Sequence, residues 1–198
     1  MKTLLVLALL AFSADALAAE LPGDSTYQLS YELTDHDGAR VKLASFRGEP
    51  VLLTMFYGTC KSACPMLIAD LKRVEKAIPA ELRGKVRVLL VSFDPDRDTP
   101  ASLKALGAAH QVDLSRWRFL VATPDAVRDL AAVLGIKYRF TPDGEINHSS
   151  VITLLDREGR IVHQLDGLRQ SEAPLVAKLH DLRPAARLPE REEPASCH

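Results

Sequence analysis

The sequence predicts an α/β domain in which a mixed β-sheet is flanked by helices. Two observations carry that expectation. Continuous apolar runs of strand length, "VLLTMF" (Val51 to Phe56) and "VRVLLVSF", read as strands buried on both faces. Between and after such runs lie segments with helical caps and a single apolar stripe, so strands and helices alternate along the chain.

Taken in order, "STYQLSYELTDHDGARVKLASFRGEP" reads as two short strands around a "DHDG" turn, an N-terminal β-hairpin extension. After the first buried strand, Pro65 suits a first helical turn, and "MLIADLKRVEKAI" places Leu67, Ile68, Leu71, Val74 and Ile78 on one face. "VRVLLVSF" is the second buried strand. Thr99 and Pro100 open a helix that runs to about His110. "WRFLVA" is the next strand. "TPDAVRDLAAVLG" is a helix capped by Thr123, with Pro124 inside its start and Gly135 past its end. "SVITLLD" and "IVHQLDG" form a hairpin across "REGR", and "SEAPLVAKLHDL" is a last helix. Right-handed crossovers join the parallel units. A cysteine pair after the first buried strand and a hairpin at the end make this the order of a thioredoxin-like domain, spanning residues 20–182.

Both ends read differently. Residues 1–19, "MKTLLVLALLAFSADALAA", carry Lys2, an apolar run and an A-x-A ending, the pattern of a cleaved secretory signal peptide. That run is far short of the roughly 20 residues a membrane span needs. The expectation is a periplasmic protein with no stable membrane span after cleavage; an uncleaved N-terminal anchor is the alternative. Residues 183–198, "RPAARLPEREEPASCH", have little to bury and read as a disordered tail.

Of 198 residues, 25 are Lys or Arg and 26 are Asp or Glu, so no global field points to nucleic acid or an anionic membrane. Three cysteines are too few for a disulfide scaffold, and the domain is large enough to do without one. Their use is chemical.

"MFYGTCKSACPML" sets Cys60 and Cys64 where a buried strand meets a helix. Helix N-termini favour thiolate, the form that attacks disulfides and binds soft metals alike. The spacing is CxxxC rather than the CxxC of thioredoxin-type oxidoreductases. Asn147, His148 and Ser149 occupy the corner where those oxidoreductases carry a cis-proline, so His148 can face the cysteine pair. Two thiolates and one imidazole suit copper as Cu(I), with Cu(II) admissible if another ligand joins; structural zinc wants four. A plain disulfide, and a histidine that is only a polar corner residue, stand as the simpler readings.

"CKSACP", "VSFDPDRDTP" and "NHSSVITLLD", in that order, resemble the Sco/SenC family of copper proteins that serve cytochrome c oxidase assembly. The similarity runs from about Tyr27 to Leu182. It implies a thioredoxin-like fold, one copper held by Cys60, Cys64 and His148, and delivery to the CuA site of the oxidase. In some members it also implies reduction of that site's cysteines. Many members read "CPDVCP"; Lys61, Ser62 and Ala63 fill the gap here. Losing the inner proline and acid leaves ligation intact but bears on partner, affinity and potential. Asp96, Arg97 and Asp98 are implied as lining the site or docking a partner, against a simple helix-start role.

Among other residues, Met55 and Met66 are expected in the core, and Trp117, Tyr138 and Phe140 as fold residues. His36, His110, His163 and His180 are expected at solvent or on helix surfaces. Cys197 and His198 are either an exposed thiol tail or a transient copper capture site. The leading expectation is therefore a copper chaperone, not a turnover enzyme. A copper-accepting protein such as an oxidase subunit and a periplasmic thiol reductase would be its partners. The competing expectation is a thiol–disulfide oxidoreductase or redox sensor that uses the Cys60–Cys64 pair without metal. A peroxidase, echoed only by Thr59 and Arg97, is weaker.

Overall fold

A computed structural model describes residues 20–60 and 63–182. Residues 1–19, where a signal peptide is expected, Lys61 and Ser62, and residues 183–198 with Cys197 and His198 lie outside the described residues, as do the expectations placed on them.

The N-terminal hairpin is β1 (Leu33–Asp35) and β2 (Arg40–Val41). The first buried strand is β3 (Val51–Phe56), every residue of it inaccessible to solvent. Helix α1 (Ala63–Ala77) buries Leu67, Ile68, Leu71 and Val74, the stripe its periodicity predicts. A single turn, α2 (Ala80–Arg83), leads into β4 (Arg87–Ser92). Helix α3 (Pro100–Ala109) starts at a reciprocal Thr99–Ser102 cap, and β5 (Trp117–Val121) follows. Helix α4 (Pro124–Val133) is capped by Thr123, and Gly135 past its end adopts φ +67°, which favours glycine.

Residues 138–148 then form an unexpected hairpin, β6 (Tyr138–Phe140) and β7 (Ile146–His148), a two-stranded sheet of its own. The chain closes with β8 (Val151–Leu155), β9 (Ile161–Asp166) and α5 (Ala173–Asp181).

The main sheet has seven strands in the order β2-β1-β5-β4-β3-β8-β9. Strands β5, β4 and β3 are parallel; β1, β8 and β9 run antiparallel to their neighbours. The N-terminal hairpin is therefore no appendage: Thr34 pairs with Val121 and extends the sheet at one edge.

Register brings the functional segments together. In the antiparallel β3–β8 pair, Leu53 faces Thr153, so the exit of β3 and the start of β8 share one end of the sheet. The buried Thr54 hydroxyl donates to the Val151 carbonyl at 2.6 Å and locks that corner. The cysteine loop leaves at this end, and His148 arrives there.

Candidate metal centre

The cysteine loop begins at Tyr57, directly after β3. Asp98, 4 % exposed, holds it: the Gly58 N–H donates to Asp98 Oδ2 at 2.9 Å, and the Ser92 hydroxyl donates to the same oxygen. Cys64 lies in the first turn of α1, where backbone N–H groups lack intrahelical partners. Its N–H donates to Cys60 Sγ at 3.4 Å, so one cysteine sulfur caps the turn that carries the other. Cys60 and Cys64 are both thiols in this structure.

His148 ends β7. Its Nδ1 lies 3.0 Å from the Ser149 carbonyl oxygen, which can only accept, so Nδ1 carries the proton and the Nε2 lone pair is left for another partner. Nε2 stands 3.9 Å from Cys64 Sγ. An ion with bonds of about 2.3 Å to sulfur and 2.0 Å to nitrogen at a trigonal angle spans about 3.7 Å. The imidazole packs on Phe93 at 4.9 Å between ring centroids and meets Tyr57 edge-on at 6.0 Å. Burial holds it below the usual imidazole range, against the opposing bond to Ser149, which favours the neutral ring a metal requires.

Cys64 corrects one expectation. Position at a helix start was expected to favour thiolate, but burial foremost, helped by Cys60 and Asp98, pushes its thiol up. At 3 % exposure the cost of an unpaired buried charge outweighs a helix-end effect of at most about 2 kcal/mol. A thiolate at Cys64 is thus stable only with a cation against it, and a coordinating ion removes the proton outright.

The donors are near one another but not closed. Among the described residues no group of three His, Cys, Asp or Glu side chains already forms a metal cage. The third donor has to come from Cys60, whose sulfur sits at the Cys64 amide and beside the Tyr57 hydroxyl. The set fits a soft ion of low coordination number, and does not supply the four ligands of structural zinc. A cleft of about 300 Å³ opens onto it, lined by Cys60, His148, Tyr57, Glu145 and Asn147 among others.

The "DPDRDTP" turn after β4 divides in its roles. Asp98 grips the cysteine loop, as above. Arg97 donates from Nη2 to the Gly144 carbonyl at 2.7 Å, in the turn of the β6–β7 hairpin, and pairs through Nε with Asp94. Asp96 is exposed and does not line the cleft. Sequence reasoning passed over Asp94, Tyr57 and Glu145. Tyr57 donates to Glu145 Oε2 at 2.7 Å across 88 positions, a pairing that no local pattern could signal. Asp94, buried and one helical turn before Asp98, had a spacing that could have been read.

Three peripheral expectations are corrected. Met55 is fully buried as predicted, but Met66 is 36 % exposed, because it turns away from the stripe of α1. Phe140 is 57 % exposed on the β6–β7 hairpin, while Trp117 is buried and Tyr138 stacks on Phe93. His36 is buried: its Nδ1 accepts the Phe119 N–H, a bond that only the β1–β5 pairing makes available.

Comparison with known proteins gives a consistent set of relatives. The sequence profile of the SCO1/SenC family matches residues 19–183. The SCO1 protein homolog of Bacillus subtilis (strain 168) is 27% identical over 151 residues, covering 72% of this chain and 78% of that one. Copper-bound ScoI of Bradyrhizobium japonicum superposes with a TM-score of 0.60 at 27% identity, over 77% of this chain and 97% of that one. BsSco, described as having a disulfide switch and as a member of the Sco family of cytochrome c oxidase assembly proteins, superposes at 0.65. It is 22% identical, over 77% of this chain and 90% of its own, a likeness of fold.

Proposed function

The chain belongs to the SCO1/SenC family, and on that premise we propose that it is a periplasmic copper chaperone rather than a turnover enzyme. Cys60 and Cys64 supply thiolates and His148 supplies Nε2 to one copper ion, held as Cu(I), with Cu(II) admitted if a further ligand or water joins. The ion is cargo. It leaves through the open side of the cleft by stepwise exchange of these ligands for those of an acceptor, for which the CuA site of cytochrome c oxidase is the leading candidate. Among the described residues no helix is long and apolar enough to cross a membrane; the periplasmic assignment rests on the leader sequence.

The observation that carries the reading is His148 with its proton committed to Ser149 and its lone pair 3.9 Å from the Cys64 sulfur. A neutral imidazole and a buried thiol that needs a cation to ionise make a poor resting pair and a good ligand pair. The cysteines have to be reduced before loading, so a periplasmic thiol reductase is an expected partner.

A second reading is supported by the approach of Cys60 Sγ to the Cys64 amide and by its place in the cleft wall. There Cys60 attacks a partner disulfide and Cys64 resolves the mixed disulfide. The test is anaerobic copper titration of the reduced mature protein, with metal quantified after desalting, beside His148→Ala and a Cys60→Ser, Cys64→Ser double variant. One retained copper per chain, lost in both variants, is the expected result. No retained copper in the reduced wild type overturns the chaperone reading in favour of the thiol–disulfide one.

A further inference from the structure

His148 belongs to a segment with no place in the main sheet. Strands β6 and β7 pair only with each other, and an isolated two-stranded hairpin is marginal in water. Its position must therefore come from what it touches. Ile146 is buried against the core, Tyr138 and His148 lie on Phe93, and Glu145 accepts from Tyr57. At the turn of the hairpin, where Gly144 adopts φ +83°, the Gly144 carbonyl accepts from Arg97 Nη2 at 2.7 Å.

Arg97 is itself anchored from below. Its Nε pairs with Asp94, which is 4 % exposed. The Asp94 N–H donates to Ser92 Oγ at 2.9 Å, and the Asp94 carbonyl accepts from the N–H groups of Arg97 and Asp98. Asp98 in turn holds Gly58 in the cysteine loop. One five-residue turn thus reaches both halves of the centre, the thiol loop through Asp98 and the imidazole hairpin through Arg97. A planar guanidinium can face a carboxylate on one edge and a carbonyl on the other, which a single ammonium cannot do with the same geometry.

We propose that Arg97 is the positioning residue for His148: by joining the buried Asp94 carboxylate to the Gly144 carbonyl, it fixes the imidazole hairpin against the thiol loop that Asp98 holds. The tie is to a backbone carbonyl, so it is independent of the side chain at the hairpin turn. Its consequence for copper rests on the chaperone reading above; its consequence for His148 does not.

Two arms keep these apart. In the first, the reduced metal-free protein is studied by NMR through the His148 ring protons, which Phe93 and Tyr57 shift by their ring currents. Arg97→Ala is expected to move those signals toward random-coil values while the core signals of β3 and β4 keep their dispersion. Arg97→Lys, which keeps the charge without the fork, is expected to move them less. In the second arm, Cu(I) affinity is measured by competition with a chelator. Arg97→Ala is expected to weaken it by about 10-fold, the low end for residues that orient a ligand, with no further loss in a His148→Ala background. Unmoved His148 signals in both variants overturn the proposal, as does an equal loss of affinity with and without His148. Absence of copper binding in the wild type overturns the proposed function and leaves the first arm to decide on Arg97.

Discussion

Gly58→Ala puts a methyl group into the tightest contact of the cysteine loop. A Cβ at Gly58 would lie 2.5 Å from Asp98 Oδ1, 3.2 Å from its Cγ and 3.4 Å from Leu103 Cδ2. The carboxylate cannot swing aside freely, since it is buried and accepts from the Gly58 N–H and the Ser92 hydroxyl. Overpacking of this kind costs about 1–3 kcal/mol. Losing a hydrogen bond to a charged group costs about 1.5–3 kcal/mol. The backbone at Gly58 is not left-handed, so alanine returns about 0.4–1 kcal/mol by restricting the unfolded chain. The net expectation is a loss of roughly 1.5–5.5 kcal/mol, or about 3–22 °C in Tm for a domain of this size. Urea unfolding of the reduced, metal-free protein measures it. Because the clash is with Asp98, the cost of Gly58→Ala should shrink in an Asp98→Ala background, a coupling that a double-mutant cycle reads directly. Full wild-type stability in Gly58→Ala, or strict additivity with Asp98→Ala, would refute the grip of Asp98 on the loop.

Other perturbations separate stability from ligation. Burial foremost holds the His36 imidazole below its usual range, opposed by Asp37 and Asp35 and assisted by Arg118 and Lys104. The unfolded chain therefore binds a proton first as pH falls. The contribution of His36 to stability should be flat above about pH 6.5, where both states of this ring are neutral, and decline below it until the folded imidazole also titrates. Unfolding midpoints across that range check this, and His36→Gln should remove the decline attributable to this site. Asp70→Ala leaves the Arg169 N–H and the Arg73 guanidinium without a buried acceptor that they reach at 2.6 and 2.7 Å. A loss of about 2–4 kcal/mol is expected, with copper stoichiometry unchanged, since Asp70 touches no donor; a lost copper would contradict this. Tyr57→Phe keeps the edge-on contact with His148 and removes the bond to the exposed Glu145. Chemical unfolding should register about 0.5–1.5 kcal/mol, and a copper site abolished by this change would make the tyrosine a ligand rather than a neighbour.

What local sequence could determine, it did. The apolar run Val51–Phe56 marked a strand buried on both faces, because six consecutive apolar or small side chains leave no polar face for water and the run has strand rather than helix length. Thr99–Pro100 and Thr123–Pro124 marked two helix starts through caps that act within one turn. The placement of Cys60 and Cys64 at a strand–helix junction, and of His148 ahead of the last hairpin, followed from the same short-range signals and from the ordered motifs of the Sco/SenC resemblance.

The tertiary structure decided the rest, for reasons of distance and burial. Residues 138–148 carry a "TPDG" turn that is plain in retrospect, but their strands are three residues each, too short for periodicity to show. Desolvation of Cys64 depends on what packs over α1, so it reversed an expectation drawn from helix position alone. His36 went inside because β1 pairs with β5, a partner more than eighty positions away. Asp94, Arg97 and Asp98 looked alike as a charged run, and only the folded chain assigns Asp98 to the thiol loop, Arg97 to the histidine hairpin and Asp94 to the support of Arg97. Sequence sets which donors exist and on which elements they sit. Register between β3 and β8, together with the turn after β4, sets whether they meet.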